Sequence, residues 1–147
     1  MADPNAPTLQ TPVNNIDVIG NVIEAVFTVP SDSDNDKLVF SIEFDTNNPI
    51  NSGSANYKQN ESRLGEFASN GVWEVDNGSG TFIPLPTGGI GSTYYGRDGK
   101  VILRKQDVTD YPDIDGTWYW RISAGDAFSG STPVYNQVVF GTVRFNS

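Results

Sequence analysis

The chain has 147 residues, a length that suits one domain, and its 37% hydrophobic and 12% aromatic content is enough for a packed core. It has no cysteine and no histidine, which excludes disulfides, thiolate chemistry, Ser-His-Asp and Cys-His nucleophiles, and every metal centre that needs imidazole. Lys and Arg number 9 against 18 Asp and Glu, a net charge of -9; this repels phosphate backbones and anionic bilayer surfaces, so nucleic acid is not an expected ligand, and no apolar stretch approaches the length of a membrane span, so membrane insertion is not expected either.

The opening "MADPNAPTLQTPVNN" has no basic cap and no apolar centre. It does not read as a Sec-type signal peptide, so the chain is expected either not to be exported that way or to be a piece of something longer. Residues 1–10 read as an extended arm with little apolar area to bury alone. "VIEAVFTV" then places Ile23, Ala25, Phe27 and Val29 on one face, with Glu24 on the other. After "SDSDND", the run "KLVFSIEFD" puts Leu38, Phe40, Ile42 and Phe44 on one side and Val39, Ser41, Glu43 and Asp45 on the other, the pattern of a strand with one buried face. Residues 46–70 are mostly polar and read as a long loop or insertion. "GVWEV" and "TFIPL" are two strands joined by "DNGSG", whose Asn77-Gly78 is a hairpin signal. "KVILRK" and "QVVFGTVRF" are further strands. In "TWYWRISA", Trp118, Trp120, Ile122 and Ala124 point inward while Tyr119, Arg121 and Ser123 point outward.

No apolar stripe of helical spacing persists, and Gly or Pro interrupts often. The expected fold is all-β, an antiparallel sandwich with an enlarged middle region, in a single domain over 1–147.

The order of these features resembles immunoglobulin-like and fibronectin type III-like modules of phage virion proteins and bacterial surface proteins. The resemblance rests on "APTLQTPVNN", "SDSDNDKLVFSIEFDTN" and "GTWYWRISAGD", with Trp118 where the family usually has tyrosine, and covers about 7–46 and 100–147. It implies adhesion modules, spacers or virion decorations, mostly without catalysis. Fold alone does not fix function in such a family.

The aspartates of "SDSDND" raise a metal question. Asp32, Asp34, Asp36 and Glu43 match EF-hand loop positions, but Lys37 stands where glycine is required. Seven strand steps also carry Glu43 about 23 Å beyond Asp36. A looser calcium site remains open, with Asp113, Asp115 or Asp126 helping from neighbouring loops. The alternative is a solvated turn built from Asp, Ser and Asn.

Carboxylate catalysis needs two acids across a cleft, one in an apolar setting. No acid here meets that, so no enzyme is expected. "GGIGSTYYGRDG" lacks the lysine of a phosphate loop. Tyr94 or Tyr95 with Trp73 either covers a core edge or forms an exposed aromatic surface for a protein or a glycan. The expected role is a non-enzymatic subunit of a virion, a capsid decoration or tail protein touching other subunits, itself among them. The alternative is an adhesion or carbohydrate-binding module at the cell surface or outside the cell, stabilised by calcium.

Overall fold

A computed structural model of the chain describes residues 7–11, 16–19, 22–62, 71–86, 88–104, 116–126 and 136–146. Ten strands follow in order: β1 (Thr8–Thr11), β2 (Ile16–Ile19), β3 (Val22–Thr28), β4 (Leu38–Asp45), β5 (Lys58–Glu61), β6 (Gly71–Asp76), β7 (Phe82–Pro84), β8 (Asp98–Arg104), β9 (Gly116–Asp126) and β10 (Asn136–Asn146). Among the described residues there is no α-helix, only a short 3-10 turn at Ser92–Tyr94.

The strands form two five-stranded sheets, β1-β3-β8-β6-β7 and β2-β10-β9-β4-β5. Among the described residues, all strand pairings are antiparallel but one. β2 runs parallel to β10, with Ile16 beside Val143 and Ile19 beside Asn146. The chain therefore contributes β1 to one sheet and β2 to the other within its first twenty residues.

The two inner faces supply the core by simple alternation. One sheet sends in Ala25, Phe27, Trp73, Val75, Val101 and Leu103; the other sends in Leu38, Phe40, Ile42, Phe44, Trp118, Trp120, Ile122 and Ala124. Phe44 stacks on Trp120 with ring centroids 5.8 Å apart, and Phe27 meets Phe40 across the sheets at 4.8 Å. Phe27 also fixes the identity of its cross-strand partner Gly99: a Cβ there would lie 2.5 Å from Cζ of that ring. Any side chain at 99 would displace the phenyl from the core.

Two expectations are corrected. β4 was expected to have one buried face, yet all eight of its residues are buried. Its outer side is covered because the chain after β4 folds back over it and β9 lays Arg121 across it. Residues 46–70 were expected to be irregular, but they contain β5, which pairs with β4 from Ser41↔Glu61 to Phe44↔Lys58. β5 reads KQNE, with no apolar alternation to signal it. Residues 1–6, most of the expected arm, lie outside the described residues.

Candidate functional site

Acidic side chains collect at both ends of β4. In the turn before it, Asp32 is buried at 4% exposure, Asp34 is exposed and Asp36 is intermediate. Asn35, in the left-handed conformation at φ 56°, and the backbone bond from Asn35 N to Asp32 O close the turn. Asp32 shapes it from within: Oδ1 accepts from Asp34 N and Oδ2 from Asp36 N, each at 3.2 Å. This is the Asx-turn chemistry that the sequence suggests. It leaves three carboxylate oxygens, one from each aspartate, within 4.8 Å of one another. Ligands at opposite poles of a calcium ion, each about 2.4 Å from it, would be about 4.8 Å apart.

Neither Asp32 nor Asp36 forms an ion pair with Lys or Arg among the described residues. Asp36 Oδ2 is sealed from solvent and accepts no hydrogen bond. The donor set is hard oxygen only, which suits calcium or magnesium and not zinc.

Other acids face this corner. Asp126 ends β9 opposite Leu38, the first residue of β4, and is buried. Tyr95 donates its hydroxyl to the Asp36 carbonyl at 2.7 Å. Burial pushes the Tyr95 phenol up from its ordinary value, and the charges of Asp32, Asp36 and Asp126 push it the same way. The expected helper Asp126 is thus brought to the turn. Asp113 and Asp115 lie outside the described residues. Glu43, excluded above by strand length, is committed elsewhere.

The loop after β4 is organised around Asp45, which is fully buried. Its Oδ2 accepts from Asn51 N at 2.9 Å, and its Oδ1 from Ser54 Oγ at 2.7 Å and Asn47 N at 3.2 Å. Burial alone would raise the Asp45 pKa, but these bonds and one from Thr46 outweigh it and hold the carboxyl below its ordinary value. Asn47, Asn48, Pro49, Asn51, Ser52 and Gly53 stay exposed on the rim of this pinned loop.

Between the two ends lies a polar face. Glu43 takes a bidentate pair from Arg121, Nε to Oε1 and a terminal nitrogen to Oε2, both at 2.9 Å. Tyr57 donates its hydroxyl to Glu43 Oε2. Burial, then the hydrogen bond and charge of Glu43, push the Tyr57 phenol well up. The Glu43 hydrogen bond likewise raises Arg121. Next along β4, Ser41 Oγ accepts from Gln59 Nε2 at 2.9 Å. Sequence reading missed this face, because the signal is a cross-strand register, Glu43↔Arg121 and Glu43↔Gln59, that pairs residues far apart in the chain.

The aromatic trio divides. Trp73 was considered for an exposed surface, but it is 4% exposed and packs in the core with Phe27 and Phe40. Its indole N–H donates to Asn60 Oδ1 at 2.6 Å, so its polar edge is satisfied inside. Alternation on β6, with Trp73 and Val75 sharing a face, is the physical reason. Tyr94 and Tyr95 are partly buried against the same core, and Arg97 lies over the Tyr94 ring at 5.3 Å.

Comparison of the chain with known protein families and with curated proteins finds no match.

Proposed function

We propose that the chain is a non-enzymatic structural module of a larger assembly: an immunoglobulin-like sandwich that decorates a capsid or tail and contacts other subunits, copies of itself among them. The strand orders support the sandwich architecture. Read as ABED and GFC sheets, β1-β3-β8-β6 and β10-β9-β4 have the strand orders expected of an immunoglobulin sandwich, with β5 as an extension on the GFC side.

The observation that carries the contact role is the loop after β4. Its polar rim is exposed while Asp45 fixes its conformation from beneath. A loop already ordered before contact loses little conformational freedom on binding, which is what a repeated subunit contact requires. Light scattering on the isolated protein and cross-linking within the native particle test this. Self-association or cross-links through residues 47–53 are expected. A strict monomer that binds a defined oligosaccharide through Tyr94 or Tyr95 would overturn it and favour a glycan-binding adhesion module at the cell surface.

A second element is favoured by a separate observation. Asp32, Asp34 and Asp36, with the donorless oxygen of Asp36, fit a calcium ion that ties the turn down. Such an ion would be structural, and it is compatible with either setting.

A further inference from the structure

The turn between β6 and β7 brings together groups that neither the core nor the acidic ends of β4 employ. Its residues run Asp76-Asn77-Gly78-Ser79-Gly80, and 77–80 are all exposed. Asn77 N donates to Thr81 O at 2.9 Å and closes the turn. Gly78 N donates to Asp76 Oδ1 at 2.7 Å, and Gly80 N reaches the same oxygen at 3.1 Å. On the other side, Asn77 Oδ1 accepts twice from Ser79, from its backbone N at 2.9 Å and from its Oγ at 2.7 Å. The first of these bonds closes a ring that contains both Asn77 Cγ and Gly78 N.

Gly78 has φ 98°, where only glycine is unstrained. A Cβ there would lie 3.1 Å from the guanidinium carbon of Arg97, so that cation rests against the Gly78 peptide. The groups form a reaction set. An amide nitrogen is hydrogen-bonded to a carboxylate. The neighbouring side-chain carbonyl is polarised by two donors. The Arg97 guanidinium lies beside Gly78.

We propose that Asn77-Gly78 is a self-modifying site, at which the chain's own backbone nitrogen displaces the Asn77 side-chain amide and water then opens the resulting ring. Gly78 N passes its proton to the Asp76 carboxylate and forms a bond to Asn77 Cγ. The negative charge that develops on Asn77 Oδ1 is held by the Ser79 N–H and O–H. The intermediate collapses by breaking the Cγ–Nδ2 bond, and the nitrogen leaves as ammonia with the proton that Asp76 returns. A five-membered succinimide remains. Water adds to one of its two carbonyls and breaks one C–N bond. The product at 77 is aspartate or, when the other bond breaks, isoaspartate.

Aspartate preserves the turn and adds one negative charge to it. Isoaspartate lengthens the main chain by a methylene and disrupts the Asn77–Thr81 closure. The site thus converts the β6–β7 tip with time, without an enzyme.

The test follows the intact protein at neutral pH, folded and in urea, by peptide mapping and mass spectrometry of amide-to-acid conversion at Asn77. The folded chain is expected to convert faster than the unfolded one. Asp76→Ala should slow the folded rate about tenfold, a modest part of what a positioned base contributes in enzymes. Ser79→Ala, which keeps the backbone donor, should slow it less, and its melting curve should match the parent. Should Asp76→Ala disturb the turn, Ser79→Ala and the folded-to-unfolded ratio still decide. A folded rate at or below the urea rate would overturn the proposal and make the same hydrogen bonds protective.

Discussion

Asp32 and Asp45 are buried at opposite ends of β4, at 4% and 0% exposure. Asp45 stands among donors: backbone N–H groups and a serine hydroxyl converge on its oxygens. Asp32 receives two longer backbone bonds and has the carboxylates of Asp34 and Asp36 for neighbours. One burial is complete in itself. The other leaves negative charge concentrated where a cation would relieve it. Burial of an acid therefore does not by itself mark a site; what marks one is how its oxygens are satisfied.

Four measurements probe this contrast. The largest effect tests the strand that holds the two ends apart. Trp120→Ala removes the ring stacked on Phe44 and should cost about 3–5 kcal/mol in urea unfolding; an unchanged midpoint would mean that the inner face is misassigned.

Asp45→Ala should cost about 2–4 kcal/mol, because it strands donors that bond a charged acceptor. In the parent, the Asp45 pKa lies below the ordinary 3.8. Its contribution is therefore complete above about pH 4 and is lost as acid drives the pH down through the folded value. The mutant should lack that part of the acid dependence.

Calcium should act at the other end alone. At a hundredfold excess over its dissociation constant it stabilises by about 2.7 kcal/mol. A raised melting temperature that EDTA reverses and Asp34→Asn abolishes is expected. No calcium shift would return the turn to a solvated one, and a shift in Asp45→Ala equal to the parent's would confirm that the ends are independent.

The smallest effect lies between the ends. Tyr57→Phe removes one bond to a charged acceptor, about 1–2 kcal/mol. The Tyr57 pKa is raised above 10.0 in the folded chain, so the unfolded chain ionises first. Its contribution holds below about pH 10 and fades as pH rises beyond it. Tyr57→Phe should flatten that alkaline loss in part, since Tyr95 is raised as well.

The inner face was legible because alternation is local: Phe40, Ile42, Trp118, Trp120 and Ile122 can each be placed from their neighbours alone. The aspartate turn was legible for the same reason, since Asp32, Asp34 and Asp36 lie within five residues. Asp45 and Glu43 were not. Both were assigned to a solvent face by correct alternation, but what covers that face comes from Arg121 and from residues 51–59, through register that no local pattern encodes. Trp73 shows the converse error. Its exposure was considered because it is aromatic, although its own strand's alternation already turned it inward with Val75.

The parallel pairing of β2 with β10 has a mechanical consequence. Tension applied ahead of Ile16 and beyond Asn146 pulls these neighbouring strands in opposite directions along their length. The bonds between them are then loaded together in shear, instead of opening one after another as in an unzipping hairpin. A sandwich loaded this way resists stretching until several hydrogen bonds fail at once.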